Sequence, residues 1–176
     1  MTGRMKRSNI VLFASNDGGH FSQLMALSAL FAKYESVVVT DNERATKDLK
    51  GLQDVKAIEY AMAFADKRKE LASAEETLTR WSYAWGYVRL FFQCCRIWRK
   101  YHPRVVVSTG SNMAVPFGII SFFHRSKFVF IETRARVYGK SVTGKLVGRL
   151  ADKVIVQWPE MVDVYGGKAE YYGTLV

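Results

Sequence analysis

The chain has 176 residues, which is enough for one compact domain and too few for several. Hydrophobic residues make up 49% of it and aromatic residues 14%, and this composition excludes a mainly disordered protein. Lys and Arg number 26 against 16 Asp and Glu, so the net charge of +10 predicts an anionic neighbour such as nucleic acid, a phosphate-bearing substrate or acidic lipid.

The first third of the chain alternates short β-type runs with helical patterns. Three strands are predicted at residues 9–14, 37–40 and 55–60, and two helices at residues 21–33 and 42–50. Residues 61–76 fit neither pattern. This alternation is typical of strands that run parallel and are joined by crossover helices.

The rest of the chain continues the alternation, beginning with a long helix. That helix is predicted over residues 78–101 and ends before Pro103, because the residue before a proline avoids helical angles. Further strands are predicted at residues 105–108, 128–131 and 154–156 and near Tyr171, with helices at residues 113–123 and 139–150. The uncharged stretch 105–123 is as long as a membrane span, but the polar residues 108–112 predict a strand, a loop and a helix instead.

This order of elements predicts the fold class. Alternating strands and helices require a parallel sheet covered on both faces, so we expect an α/β fold with a Rossmann-like, doubly wound parallel sheet. No linker divides the chain, and residues 1–176 are predicted to form a single domain.

Two loops that follow predicted strands have the small residues of a ligand site. Gly18 and Gly19 follow the first strand and open a helix; Gly110, Ser111 and Asn112 follow the fourth strand and open another. Ligands of parallel sheets bind beyond the carboxyl ends of the strands, so these loops would form one crevice if the two strands are neighbours. The Gly-x-Gly-x-x-Gly spacing of dinucleotide sites and the lysine of a P-loop are both missing.

Two residues beside these loops have the chemistry of acid–base catalysis. His20 ends the first loop, and an imidazole is the side chain best suited to exchange protons near neutral pH. Glu132 follows the fifth strand, close to Arg134 and Arg136, and suits either a general base or a structural ion pair. A helix-start histidine with a purely structural role is an equal alternative for His20.

The long helix is basic and apolar on more sides than a core requires. Residues 77–131 contain no acid, and Arg89, Gln93, Arg96 and Lys100 form a polar stripe. Apolar side chains, including Trp81 and Trp85, extend around most of the remaining surface. A membrane interface contacting Trp81, Trp85, Arg89 and Arg96 fits this pattern; a partner subunit and a wholly internal helix are the alternatives.

The two cysteines are typical of a protein in a reducing compartment, and their spacing does not predict a metal centre. Cys94 and Cys95 are adjacent, which disfavours an ordinary disulfide, and no further ligand lies at zinc-site spacing from them. No metal and no cofactor is predicted.

Several short motifs follow one another along the chain. They are Ser15 to His20 with Phe21, Gln23 and Leu24; Pro103 to Gly110; Ile131 and Glu132 with Ala135, Arg136 and Val137; Thr143, Gly144 and Lys145; Val156, Gln157, Trp158 and Pro159; and Tyr172 with Gly173. In this order they resemble the motifs of the PssD and CpsF type of bacterial polysaccharide biosynthesis proteins. That type is similar to the Alg14-like membrane-anchor subunit of the eukaryotic dolichol-pathway N-acetylglucosaminyltransferase. Asp17 stands where members of this family often carry a further glycine.

The resemblance implies the N-terminal, acceptor-side half of a GT-B glycosyltransferase, inactive without a PssE-like partner that binds most of the nucleotide sugar. The assembled inverting enzyme would transfer a sugar to a polyprenyl-diphosphate-linked acceptor in exopolysaccharide or capsule synthesis. This chain would lie peripherally on the cytoplasmic face of the inner membrane.

Mapped onto this chain, the resemblance makes His20 and Glu132 the catalytic candidates. His20 would be the base for the acceptor hydroxyl, and Glu132 with Arg136 would orient the site. The acceptor and its diphosphate would lie against Gly18, Gly19, Gly110, Ser111 and Asn112.

Two other function classes compete with this interpretation. A single-domain nucleotide- or dinucleotide-binding enzyme fits the fold class, although the missing glycine fingerprint counts against it. A basic nucleic-acid-binding module fits only the net charge.

Overall fold

Residues 9–46, 52–61 and 80–175 are described by the structure, a computed structural model. Within them the strands are β1 (Ile10–Ala14), β2 (Glu35–Thr40), β3 (Ala57–Tyr60), β4 (Val105–Ser108), β5 (Lys127–Ile131), β6 (Lys153–Val156) and β7 (Ala169–Tyr171). They form one sheet in the order β3-β2-β1-β4-β5-β6-β7, and every neighbouring pair is parallel. The expected Rossmann-like, doubly wound sheet is confirmed.

The helices of the described residues connect these strands. They are α1 (Gly19–Met25), α2 (Ala29–Lys33), α3 (Arg80–Tyr101), α4 (Ala114–His124), α5 (Val142–Val147) and α6 (Met161–Tyr165), with 3-10 turns at Arg44–Thr46 and Gly166–Lys168. The predicted start of the long helix at Leu78 and residues 47–50 of the predicted second helix lie outside the described residues, as do residues 62–76.

Two helix predictions were wrong in extent. The helix predicted over residues 21–33 is two helices, because the turn between them closes with tighter bonds: the amides of Leu27 and Ser28 donate to the carbonyls three residues earlier. The helix predicted over residues 139–150 begins only at Val142, since the Ser141 side chain accepts from the Gly144 amide, 2.9 Å away, as an N-cap. Helix α6 was not predicted.

Both faces of the sheet are covered, and successive strand residues alternate between them. Leu12 packs in the cluster that includes α3 and α4, whereas Phe13 packs with α1 and α2 on the other face, where its ring lies 4.8 Å from that of Phe31. Burial on both faces explains why the strands are runs of apolar residues rather than alternating ones.

The stretch 105–123 forms β4, a loop and most of α4, as its polar interruption predicted. Among the helices within the described ranges, none combines the length and the apolar character of a membrane-crossing helix.

Candidate functional site

The candidate site lies where β1 and β4 pair at the centre of the sheet. Val11 to Ala14 pair in register with Val105 to Ser108, so the two strands end together. Strands β2 and β3 continue the sheet on one side of this pair and β5 to β7 on the other, so the strand order reverses between β1 and β4. The adjacency on which the single-crevice prediction depended is therefore present.

Hydrogen bonds join the loop after β1 to the loop after β4. The backbone N–H of Asn16 donates to Ser111 Oγ at 3.2 Å, and the Ser111 hydroxyl donates to the side-chain Oδ1 of Asn16. The Thr109 hydroxyl donates to the His20 carbonyl at 2.8 Å. Asn16 and Ser111 are thus joined by two hydrogen bonds, and the loops after β1 and β4 lie against each other.

His20 is held at the start of α1 in a defined tautomer. Its Nδ1 lies 2.8 Å from the Thr109 carbonyl oxygen. Because a carbonyl oxygen only accepts, this bond requires hydrogen on Nδ1, and in the neutral ring the lone pair is then on Nε2. Nε2 has no hydrogen-bond partner among the residues that the structure describes. The half-buried ring therefore presents the nitrogen that a general base needs.

Gly110 gives the His20 ring its place. Its φ is +106°, and a Cβ at this position would lie 3.1 Å from two atoms of the imidazole. Glycine tolerates both the backbone angle and the close approach. From the sequence, Gly110 was predicted only to line the ligand site. In the structure, the missing side chain of Gly110 leaves the space that the His20 ring occupies.

Carboxylates surround the first loop. Asp41, which follows β2, accepts from Asn16 Nδ2 at 2.5 Å and from the Asp17 amide at 2.6 Å. Asp17 Oδ1 in turn accepts from the Gly18 amide at 2.7 Å, so the first amide of the glycine pair is already occupied. Gly18 and Gly19 otherwise border open space, since a Cβ at either position would meet no atom within 4 Å. The negative charge of Asp17 and Asp41 disfavours a phosphate at Gly18. We therefore expect an acceptor diphosphate to lie beside the β4 loop instead.

The β4 loop contacts both the loop after β1 and the long helix. Ser111 has a positive φ of 72°, and Asn112 Oδ1 accepts from the Tyr87 hydroxyl of α3 at 2.9 Å. Ser111 and Asn112 are half-buried, and their side chains bond to amide and hydroxyl groups of Asn16 and Tyr87 rather than to carboxylates. This loop is the more suitable of the two for an anionic group.

Glu132 lies at the end of β5 but is only 1% exposed. Its carboxylate accepts from the Thr133 amide at 2.9 Å, from the Ser141 amide at 3.0 Å and from the Tyr165 hydroxyl. Burial and the adjacent Glu132 raise the pKa of the Tyr165 hydroxyl, so this group remains a donor. Three donors on a buried carboxylate favour a positioning role for Glu132 over direct catalysis.

Gly144 is required beneath this carboxylate. A Cβ at position 144 would lie 1.9 Å from the Tyr165 hydroxyl oxygen and 2.5 Å from Glu132 Oε2. The segment that Glu132 anchors contains Arg136, whose side chain is exposed. Arg136 is therefore free to face a ligand, while Glu132 fixes the loop that carries it.

A buried glutamine after β6 bonds to the end of β5 and to α1, and no sequence pattern indicated it. Gln157, which follows β6, donates to Gln23 Oε1 at 2.5 Å and to the Glu132 carbonyl at 2.9 Å, and accepts from the Leu175 amide at 3.0 Å. Asp41 was missed as well. Both residues directly follow strands at the same sheet edge, and that position was the available signal.

The long helix presents an exposed apolar and basic surface. Trp85 is 73% exposed and Phe92 67%, and Arg89 and Arg96 are exposed between and beyond them. This spacing places the four side chains on one helical face, which we call the α3 outer face. Leu90, Cys94, Ile97 and Trp98 form the opposite, buried face. Trp81 belongs to α3, but its side chain lies outside what the structure describes.

Within the described parts of the chain, no group of three or more His, Cys, Asp or Glu side chains is placed to hold a metal ion.

A model of the family "Oligosaccharide biosynthesis protein Alg14 like" matches residues 10–175. A UDP-N-acetylglucosamine transferase subunit ALG14 from Candida albicans is 34% identical over 83 residues, which cover 44% of this chain and 37% of that protein. The Yarrowia lipolytica protein of the same name is 25% identical over 184 residues, covering 98% of this chain and 84% of that protein. The Candida albicans match thus spans little more than a third of its relative.

The fold also resembles a solved structure. Acinetobacter baumannii MurG superposes with a TM-score of 0.67 at 15% identity, over 94% of this chain and 44% of the MurG chain. At this identity the likeness concerns the fold alone, and this chain accounts for less than half of the MurG chain.

Proposed function

This chain belongs to the family of Alg14-like oligosaccharide biosynthesis proteins, and on that premise we propose that it is the acceptor-binding subunit of a two-chain, inverting glycosyltransferase. The enzyme transfers a sugar from a nucleotide donor to a polyprenyl-diphosphate-linked acceptor. As in the PssD and CpsF type, the product belongs to exopolysaccharide or capsule synthesis. The observation that carries this proposal is the fastening of the β1 and β4 loops around His20 at the reversal point of the sheet.

A second chain completes the enzyme. The relatives from Candida albicans and Yarrowia lipolytica are named as subunits of a transferase, which supports a partner chain. In this proposal the partner is a PssE-like subunit that binds most of the nucleotide sugar, and the chain alone is inactive.

His20 acts as the base in this proposal. Nε2 takes the proton of the acceptor hydroxyl as the oxygen attacks the sugar carbon of the donor, and the nucleotide diphosphate leaves from the opposite side. Thr109 and Gly110 hold the ring in the required tautomer and place. Ser111 and Asn112 face the acceptor diphosphate, with Gly18 and Gly19 beside the acceptor sugar, and Glu132 orients the loop of Arg136.

Binding by the isolated chain tests the assignment of acceptor and donor sides. In detergent, we expect saturable binding of radiolabelled polyprenyl-diphosphate-linked N-acetylglucosamine and no saturable binding of UDP-N-acetylglucosamine. Asn112→Ala should weaken acceptor binding about fivefold, the equivalent of one hydrogen bond of about 1 kcal/mol, while Asn9→Ala, before β1, leaves it unchanged. The reverse preference, for the nucleotide sugar, would assign this chain to the donor side.

The α3 outer face is the proposed membrane contact. Tryptophan and phenylalanine side chains bury well at headgroup depth, and arginines attract the phosphates of an anionic leaflet. Tyr87 links this helix to Asn112, so contact along α3 brings the crevice close to the lipid surface that carries the acceptor. In this proposal the protein lies peripherally on the cytoplasmic face of the plasma membrane, whose anionic lipids attract its arginines.

Replacing Trp85 and Phe92 by alanine and Arg89 by glutamine should lower binding to phosphatidylglycerol vesicles at least tenfold, measured by co-sedimentation. Each buried aromatic side chain contributes about 1.5–3 kcal/mol to such binding and the cation about 1 kcal/mol. The matched control, Tyr34→Ala, Tyr171→Ala and Lys33→Gln, removes two exposed aromatic side chains and one cation elsewhere and should sediment like the unchanged protein. Equal sedimentation of both variants would dismiss the α3 outer face as the contact.

A further inference from the structure

A second cleft lies at the opposite edge of the sheet from His20. It has a volume of about 870 Å³ and is bordered by the residues that enter β4, β5 and β6 and by the C-terminal ends of α3 and α4. From Tyr87, which donates to Asn112 of the β4 loop, to Trp98, which lines this cleft, α3 advances by about 16 Å at ~1.5 Å per residue. The cleft is therefore separate from the proposed acceptor site.

Cationic side chains dominate the lining of this cleft. They are Arg104, Arg125, Lys127, Arg149 and Lys168, against the single carboxylate of Asp152. That carboxylate is already engaged: Oδ1 lies 2.5 Å from Lys127 Nζ, and Oδ2 accepts from the Phe128 amide at 2.9 Å. The cleft therefore carries an excess of positive charge.

The three arginines of the cleft are available to a ligand. Among the residues that the structure describes, the side chains of Arg104, Arg125 and Arg149 have no ion pair and no hydrogen bond. Guanidinium groups bind phosphate oxygens in pairs of parallel hydrogen bonds, and unpaired cations facing one cavity repel each other until an anion enters. Their grouping favours a multivalent anion.

The floor of the cleft is aromatic and contains an unsatisfied hydroxyl. The Trp98 indole stacks on His124 with centroids 4.1 Å apart, and His102 meets it edge-on at 5.2 Å. Ser121 is fully buried and lines the cleft, yet its Oγ has no hydrogen-bond partner within the described structure. A buried hydroxyl without a partner costs stability, and a bound ligand oxygen would supply the missing bond.

We infer that this cleft is a binding site for a phosphate group. The arginines bind its oxygens, the Ser121 hydroxyl donates to it, and the Trp98 and His124 rings shield the bonds from water. The phosphate belongs either to the headgroup of an anionic lipid or to a soluble phosphate compound. Phe122, 61% exposed at the rim, would contact acyl chains in the first of these two arrangements. The inference does not depend on sugar transfer.

Titration of the 15N-labelled full chain tests the site through the Trp98 indole N–H resonance. The probes are inorganic pyrophosphate, micelles of dioctanoyl phosphatidic acid and micelles of a phosphatidylcholine of equal chain length. We expect saturable shifts of the Trp98 indole and of the Ser121 and His124 amides. Shifts with the phosphatidic acid alone identify a lipid headgroup; shifts with pyrophosphate identify recognition of phosphate without lipid.

The variant Arg104→Gln with Arg149→Gln should weaken binding at least tenfold, and its other amide resonances report that it is folded. The control, Lys33→Gln with Arg44→Gln, removes the same charge from residues outside the cleft and should bind normally. No shift with pyrophosphate or phosphatidic acid would overturn the inference. So would binding that is undiminished in the cleft variant, or lowered equally in the control.

Discussion

His20→Ala is expected to lower the turnover of the assembled enzyme by about 10²-fold or more, the usual contribution of a positioned general base. The loss should fall on kcat, with the KM for the acceptor little changed, because the ring contacts a reacting proton rather than the lipid or the diphosphate. The measurement is the rate of labelled sugar transfer at saturating acceptor by the pair reconstituted with each variant.

A structural role for His20 predicts a different pattern. His20→Asn retains an N–H that can donate to the Thr109 carbonyl, 2.8 Å from Nδ1 in the unchanged protein, but it offers no basic nitrogen. If His20 is the base, the asparagine variant is as slow as the alanine variant, and added imidazole restores part of the activity of His20→Ala. Near-normal turnover of His20→Asn would show that His20 has a structural role and is not the base.

The strands could be predicted from the sequence, because burial on both faces makes them apolar runs between turn residues. The fourth strand has the predicted bounds, Val105–Ser108. The first, second, third, fifth and sixth strands end at the predicted residue and differ by one or two residues at their start. The break between α1 and α2 could not be predicted in this way, since Ala26, Leu27 and Ser28 include no glycine or proline. Its tighter hydrogen bonds are visible only in the fold.

The α3 outer face illustrates what periodicity can and cannot predict. Helical spacing correctly placed Trp85 and Phe92 on one side, and the expectation that part of the helix faces away from the sheet is confirmed by their exposure. Spacing does not say which side meets the core when apolar residues occupy most of the surface. Leu90 and Ile97 are therefore buried although neither stood out in the sequence.

The candidate site was predictable in its location and only partly in its details. Small residues follow both β1 and β4, so the meeting of the two loops could be predicted once these strands were assumed to pair, and they do pair. The surroundings of Glu132 depend on Ser141 and Tyr165, nine and 33 residues away in the chain, so no local pattern could show that its carboxylate is buried and engaged.

We expect the single chain to lack part of the active site, and reconstituted sugar transfer tests this most directly. The purified chain would be assayed in anionic vesicles with a nucleotide sugar and a polyprenyl-diphosphate-linked acceptor, alone and after addition of the PssE-like chain from the same source, with the His20→Ala pair as a blank. We expect product only when both chains are present. Transfer at the full rate by this chain alone would contradict the account.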